Sequence, residues 1–349
     1  MRTDTGHAKG DPLMAEAYTI GIGTVGAGLH FSYDGGQRWR HIYKHVNPEG
    51  NVRSLHVFPD DPHHILAVSD RAGLFESHDN GYLWEPLESP ITDCEIWSTA
   101  VDPVDPDRLY IGARPHGFRS TDRGRTWERL EMGMNEQCPI GTPRITNMVV
   151  DPRDNDTVWA GVEVDGIYRS RDGGDTWDHL SGLGPSPFHD DIHGLTIRVG
   201  DGDGETAEVI ATTPFGMATS SNDGDEWTWR EFQGFDGNGS GNDYAYCRGV
   251  FIEPGNPDTL LVGCGDYIPG QAGAIETSHD GGRSWTRAVT DTAPNSTVYW
   301  MAMHPDLPGI VVAVTVFGQV HVSADHGDSW SKLEREFGEI RAVCLSPNG

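Results

Sequence analysis

The chain has 349 residues, a net charge of -28 and 36% hydrophobic residues, with 45 glycines, 22 prolines and 11 tryptophans. A surface this acidic repels phosphate groups, so we expect neither nucleic acid nor a membrane as a partner. No apolar run approaches the roughly 18 residues of a transmembrane helix, and the composition favours many short strands over a helical bundle.

The first segment of the chain is polar and lacks the apolar core of a signal peptide. We therefore expect residues 1–16 to be a disordered segment, residues 17–349 to form one domain, and the protein to be cytoplasmic. The five cysteines have no CxxC spacing, which predicts reduced thiols.

An eight-residue pattern, Ser-x-Asp-x-Gly-x-x-Trp, recurs seven times, and we call each copy a box. The copies read SYDGGQRW, SHDNGYLW, STDRGRTW, SRDGGDTW, SSNDGDEW, SHDGGRSW and SADHGDSW, starting at Ser32, Ser77, Ser120, Ser170, Ser220, Ser278 and Ser323. The Asp accepts hydrogen bonds from its own turn, the Gly permits an unusual backbone conformation, and the Trp buries its ring. A repeat of roughly 50 residues is typical of propeller blades.

Five of the seven boxes are preceded by two apolar strands joined through a Pro-containing turn, as in IWSTAVDPVDPDRLYIGA. A unit therefore consists of strands A, B and C, the box, and strand D, which is one propeller blade. The chain starts with a B strand, YTIGIGT, and finishes with an A strand, IRAVCLSPNG. We predict an all-β, seven-bladed propeller of four-stranded antiparallel blades, in which the C-terminal strand joins the N-terminal blade and closes the ring.

The seven boxes resemble the Asp-box, or BNR-repeat, propellers of the sialidase superfamily, and the resemblance covers residues 18–349. It implies a fold without fixing an activity, because the superfamily includes sialidases, two-propeller xyloglucanases, sortilin-type receptors and a photosystem II assembly factor. Sialidases carry an early Arg-Ile-Pro, whereas this chain has Pro143-Arg144-Ile145 on a later blade. In size and blade count the assembly factor is the most similar of these.

Six A strands are aligned on the proline that ends them, and the blade-five strand, which lacks it, is aligned by its apolar pattern. Each A strand then places one residue at the same level of the central channel. These ring residues are Arg53, Trp97, Thr146, His193, Arg248, Tyr299 and Arg341. Guanidinium groups bind carboxylates and phosphates through paired donors. The ring therefore predicts a pocket for a small anion, with the binding residues Arg53, Trp97, Arg248, Arg341, Trp300 and Tyr267. The alternative is that each arginine pairs with an acidic loop residue and lines a wet channel.

Three residues are candidates for proton transfer at this mouth of the channel, namely His193, Tyr299 and Glu163. We expect no metal and no cofactor. The alternative is a divalent transition metal held by His45, His116, His189 and His193, all of which are on segments predicted to reach the same mouth. No close spacing such as HxH or HExxH supports that alternative.

Three functions are compatible with these features. The sequence favours a cytoplasmic hydrolase or lyase that acts on a small, carboxylate-bearing substrate at the top of the propeller. A non-catalytic propeller that binds a protein partner is the first alternative, because aromatic and arginine side chains also anchor protein interfaces. A metal-dependent enzyme with the histidine cluster is the second.

Overall fold

A computed structural model describes residues 18–70, 73–89, 91, 94–139, 141–200, 207–235 and 243–348. The segment predicted to be disordered, residues 1–16, lies outside the described residues. The described residues form seven sheets, as the seven boxes predict, and the all-β seven-bladed propeller is confirmed.

The strands follow the order of the chain, blade by blade. Blade one contains β1 (Tyr18–Thr24), β2 (Leu29–Ser32) and β3 (Arg40–Ile42). Blade two contains β4–β7 (Val52–Phe58, Asp61–Ser69, Gly73–Ser77, Glu85–Leu87). Blade three contains β8–β11 (Glu95–Val101, Leu109–Arg114, Gly117–Ser120, Glu128–Leu130), and blade four contains β12–β15 (Ile145–Val150, Val158–Val162, Gly166–Ser170, Asp178–Leu180).

Blades five to seven continue the same pattern. Blade five contains β16–β19 (Gly194–Val199, Ala207–Thr213, Gly216–Ser220, Thr228–Arg230), and blade six contains β20–β23 (Tyr246–Glu253, Asn256–Gly265, Gly273–Ser278, Thr286–Arg287). Blade seven contains β25–β28 (Val298–Ala302, Val311–Thr315, Val320–Ser323, Ser329–Lys332). The described residues include one short 3-10 helix, Pro187–Asp190, and no helix long and apolar enough to cross a membrane.

Two strands depart from simple blade order. The C-terminal strand β29 (Ile340–Pro347) pairs antiparallel with β1, which closes the ring as predicted. The strand β24 (Val289–Thr290) pairs parallel with β28, so blade seven has five strands instead of the predicted four. The cause is the segment after β23, where Ala288 N still donates to Ile275 O but Val289 N donates to Asp328 O of the next blade.

The boxes form the tight turns that their residues predict. In the third box, Ser120 Oγ donates to Asp122 Oδ1 over 2.9 Å, and Gly124 N donates to Ser120 Oγ over 2.8 Å. The indole Nε1 of Trp127 then donates to Gly124 O over 2.8 Å. These bonds fold the indole back over the turn, where it packs between adjacent blades in the hydrophobic core.

The A strands stand side by side around the central axis. Consecutive strands β29, β4, β8, β12, β16, β20 and β25 contact one another, and β25 contacts β29 to complete the circle. The core therefore lies between the blades, and the A strands carry the side chains that line the channel.

Candidate functional site

The central channel contains a cavity of about 630 Å³, which is within the range of small-molecule sites. All seven ring residues line it, so the A strands bring together around the channel the residues that the alignment of these strands predicts. The cavity continues from the ring to the A–B turns at the opposite end of the blades, where Pro59, Pro254 and Pro305 lie.

Two arginines contact the ring of Trp97. The guanidinium carbon of Arg144 lies 4.0 Å from its centroid and that of Arg53 lies 4.7 Å away. Each arginine also has an acidic partner, since Arg53 Nη2 lies 3.6 Å from Asp70 Oδ2 and Arg144 pairs with Glu163. Both arginines are thus held in place by charge and by cation–π contact.

A second pair of arginines contacts Tyr299 in the same way. The guanidinium carbons of Arg248 and Arg341 both lie 4.5 Å from the tyrosine centroid, and Arg248 Nη2 donates to Tyr299 Oη over 2.9 Å. Arg341 also pairs with Glu339. The phenol is therefore fixed between two cations on the channel wall.

Arg248 differs from the other three arginines because no carboxylate among the described residues lies within ion-pair distance of it. It is only 8% exposed, and its Nε has no hydrogen-bond partner in the described part of the chain. A buried cation without an anionic partner is costly. Burial alone lowers the pKa of Arg248, but Tyr299, Tyr246 and Glu163 raise it above its ordinary value, so the side chain stays charged.

The two tyrosines beside Arg248 have opposite acidities. Burial raises the pKa of Tyr299, but Arg248 and Arg341 outweigh burial and lower it to about 8. Burial raises the pKa of Tyr246 to about 12, and the charge of Arg248 only partly offsets it. Neighbouring groups whose pKa values are driven apart in this way are suited to opposite steps of a proton transfer.

His193 lies on the other side of Arg248 in the ring and is 3% exposed. Its Nδ1 contacts Cys247 O at 3.0 Å, so this nitrogen carries the proton, and its Nε2 lies 3.6 Å from Asp191 Oδ2 and 3.5 Å from Tyr246 Oη. Burial raises the pKa of Asp191, but His193 and Arg248 outweigh burial and lower it. Asp191 therefore carries a negative charge against the imidazole.

Sequence reasoning missed Arg144 as a member of the site, and it named Asp191 and Tyr246 only as residues of long loops near this mouth. Each precedes a ring residue by two positions, and side chains two apart on a strand point to the same side. The two-residue alternation of side chains along each A strand could therefore have predicted these positions. Glu163, in contrast, follows strand β13, where it pairs with Arg144 and lies close to Asp191 and His193.

Some of the predicted residues lie elsewhere. Tyr267 is 62% exposed and does not line the cavity, although its ring centroid is 6.0 Å from that of Tyr246. The four-histidine cluster does not form. His45 is exposed in the loop after β3, His116 lies between β9 and β10, and His189 packs against Phe215 and Trp229.

The residues at the mouth that come close enough to share a metal ion are Glu163, Asp191 and His193. Their surroundings disfavour a cation, because Arg144 pairs with Glu163 and the charge of Arg248 acts on Asp191. The same charges favour a negatively charged ligand.

Below the ring, the channel wall becomes largely apolar. The partly exposed apolar side chains that line it are Val57, Val149, Phe251, Ile252, Trp300 and Met303. Burial lowers the pKa of His56, which lines the same region, to about 4, so its imidazole is neutral. The cavity thus combines a charged mouth with an apolar interior.

Comparison with known proteins agrees with this architecture. Residues 38–182 match the family described as photosynthesis system II assembly factor YCF48. A xyloglucanase of Paenibacillus sp is 26% identical over 344 residues, which cover 81% of this chain and 33% of that protein. The chain therefore spans about a third of the length of this curated relative.

Two solved structures have the same fold. The GH74 xyloglucanase from Xanthomonas campestris matches with a TM-score of 0.64 at 20% identity, over 93% of this chain and 53% of that chain. The structure described as YCF48 bound to D1 peptide matches with a TM-score of 0.53 at 18% identity, over 82% of this chain and 83% of that chain. This chain is a BNR-like seven-bladed β-propeller. The curated proteins that it matches include xyloglucanases and, over 33% of this chain at 28% identity, the photosystem II assembly protein Ycf48 of Synechococcus sp.

Proposed function

We propose that this BNR-like propeller is an enzyme that binds a small carboxylate at the channel mouth and transfers a proton to or from it. The observation that carries the proposal is Arg248, a buried cation on the channel wall without a carboxylate partner among the described residues. A ligand carboxylate beside this guanidinium group would supply the missing negative charge. Arg341 and Arg53 would add to the positive potential.

The sequence predicts a hydrolase or a lyase. The pKa values of the side chains at the mouth fit an elimination better than a hydrolysis catalysed by a pair of carboxyl groups. Such a hydrolase needs one protonated carboxyl group, whereas Asp191 is kept ionised by His193 and Glu163 pairs with Arg144. Tyr299, with its pKa near 8, is the better proton carrier at neutral or mildly alkaline pH.

The proposed elimination uses a carboxylate with an oxygen substituent on its β-carbon. Arg248 binds the carboxylate and so acidifies the α C–H bond. The Tyr299 phenolate takes the α-proton, the electron pair of the C–H bond forms the C=C bond, and the β C–O bond breaks. The leaving oxygen keeps the electrons of that bond and accepts a proton from Tyr246. The product is an α,β-unsaturated carboxylate.

The apolar wall below the ring supports a further statement about the substrate. A ligand with its carboxylate at Arg248 would direct the remainder of its structure either toward solvent or along Phe251 and Trp300 into the channel. Affinity that rises about threefold to fourfold for each added methylene would indicate the channel.

The direct test is to incubate the protein with β-oxygenated carboxylates, uronates included, and to follow the near-ultraviolet absorbance of the unsaturated product. Turnover is expected to rise with pH through about 8, where Tyr299 loses its proton. Tyr299→Phe is expected to abolish turnover while substrate still binds. Arg40→Ala, which removes an exposed arginine that also contacts an aromatic ring, is the matched control. Turnover that survives Tyr299→Phe would overturn the assignment of the base.

A second function, the binding of a protein partner, is favoured by one specific observation. Tyr43, Phe188, Tyr267 and Phe317 are all strongly exposed and lie in loops that join strand D to A or B to C. The structure described as YCF48 bound to D1 peptide matches over most of both chains, and this similarity supports the binding of a protein partner. Peptide capture that is lost in Phe188→Ser but kept in Arg248→Met would favour it over the enzyme. We also propose a cytoplasmic location, which the five free cysteines support.

A further inference from the structure

A second cluster of ionisable groups lies on blade two, outside the channel cavity, and consists of His64, Glu76 and His78. It plays no part in the proposed reaction. His64 is on β5, Glu76 is on β6, and His78 is the second residue of the second box.

The strand register explains why these three side chains meet. Leu66 pairs with Glu76 and Ile65 pairs with Ser77, so the next pair in the ladder would place His64 opposite His78. Glu76 is two residues from His78 and therefore points to the same side of the sheet. The three side chains are thus presented together by one β-hairpin, which is a rigid support.

The distances within the cluster match those between ligands of one metal ion. Glu76 Oε2 lies 3.2 Å from His64 Nε2 and 3.5 Å from His78 Nε2, and the three ligand atoms all lie within 4.8 Å of one another. Ligands at about 2.0–2.2 Å from one ion are separated by roughly 3–3.5 Å from each other. The rings of His64 and His78 lie against each other with a centroid separation of 4.1 Å, so the exposed His78 has to rotate for both imidazole nitrogens to face one ion.

Neighbouring residues hold His64 and Glu76 in place, whereas His78 is exposed to solvent. His64 has a side chain that is 1% exposed and stacks on Phe58 with a centroid separation of 3.8 Å. The imidazole of His64 contacts Glu76 Oε2 at 3.2 Å, which holds the carboxylate in place. His78 is 60% exposed, which leaves room for water as further ligands.

The other six blades provide an internal comparison. At the positions equivalent to His64, Glu76 and His78, no other blade has more than one histidine or carboxylate. Blade six is the most similar and has Thr259, Thr277 and His279. The fold of the hairpin therefore does not require the two histidines and the glutamate, since six blades form the same turn without them.

We propose that His64, Glu76 and His78 form a binding site for one divalent first-row transition ion. Two imidazoles and one carboxylate suit Zn²⁺, Co²⁺ or Ni²⁺ better than Mg²⁺ or Ca²⁺, which prefer oxygen ligands. The ion would clamp β5 to the turn of the second box. This site is independent of the channel and of the proposed elimination.

Equilibrium dialysis of the full chain against Co²⁺ and Zn²⁺, followed by elemental analysis, tests the site. One equivalent per chain is expected at neutral pH. Bound Co²⁺ is expected to give visible absorption bands of a nitrogen-ligated ion, which a purely structural cluster would not produce.

Two variants and a matched control decide the outcome. His78→Ala, at the exposed ligand, and Glu76→Gln, at the half-buried one, are expected to lose the equivalent of metal and the cobalt bands. His279→Ala, at the equivalent position of blade six, is expected to keep both. The proposal is overturned if the wild-type chain binds no stoichiometric metal, or if binding is unchanged in His78→Ala and Glu76→Gln, because the ion would then lie elsewhere.

Discussion

At the scale of single residues, the acidity of Tyr299 is the most informative property of the site. Two guanidinium groups within 4.5 Å of its ring outweigh the effect of burial and lower its pKa to about 8. Tyr246, close by, has its pKa raised to about 12. A difference of this size between neighbouring phenols makes one of them a base while the other keeps its proton.

This acidity can be measured from the tyrosinate absorbance during a pH titration. One tyrosine is expected to ionise near pH 8, and that step is expected to disappear in Tyr299→Phe and to move to higher pH in Arg341→Met. Because the folded pKa lies below the ordinary value of 10.0, the charged phenolate stabilises the fold above pH 10, and this contribution is lost as pH falls through 8. The free energy of unfolding of the wild type, relative to Tyr299→Phe, is expected to rise by about 2–3 kcal/mol between pH 8 and pH 10. A constant difference across that interval would contradict the lowered pKa.

The sequence alone predicts the site residues that lie on the A strands, but it does not predict the positions of the residues that lie on loops. Arg53, Arg248 and Tyr299 were predictable because a proline marks the same level of each A strand. Arg144 and Asp191 could have been found by the same alignment, because each precedes a ring residue by two positions. The outward position of Tyr267 and the separation of His45 from His193 depend on loop conformation, which no local period specifies.

At the scale of the structural element, the fifth box shows how a turn tolerates a changed residue. Asn222 accepts from Ser220 Oγ over 2.9 Å and from Glu226 N over 3.0 Å, as the Asp of other boxes does. In the third and fourth boxes a threonine hydroxyl also donates to the second carboxylate oxygen. Glu226 stands at that position in the fifth box and offers no donor, and its charge would repel an aspartate.

A double-mutant cycle tests this explanation. Asn222→Asp alone is expected to be neutral or slightly destabilising, because it adds a negative charge beside Glu226. Combined with Glu226→Thr it is expected to be stabilising, with a coupling of about 0.5–1.5 kcal/mol from the restored hydroxyl bond. Thermal unfolding of the two single variants and the double variant measures the coupling. Additive effects would show that the two positions do not interact.

At the scale of the whole molecule, one strand closes the ring. β29 pairs with β1 from Tyr18 opposite Pro347 to Gly23 opposite Ala342, and its end is bound to the second box through Asn80. The sequence predicted this closure because it starts on a B strand and finishes on an A strand. The fifth strand of blade seven was not predictable, since two short segments after the sixth box pair with different blades.

Removal of the closing strand is expected to unfold the propeller as a unit. A chain that ends at residue 339 exposes an unpaired edge of β1 and a gap in the core, so its cooperative thermal transition is expected to be lost. A synthetic peptide of residues 340–347 is expected to restore the transition, whereas the same peptide with Leu345 replaced by Asp is not, because Leu345 is buried between blades. A truncated chain that unfolds at the wild-type temperature would show that closure is dispensable.

The most direct test of the anion site is calorimetric titration of carboxylates into the wild type and Arg248→Met. The wild type is expected to bind a carboxylate with one site per chain, and Arg248→Met is expected to lose that binding while its unfolding temperature stays the same or rises. Stability is expected to survive because the substitution removes a buried cation that lacks a carboxylate partner in the described chain. Carboxylate binding that is as tight in Arg248→Met as in the wild type would contradict an anion site at the channel mouth.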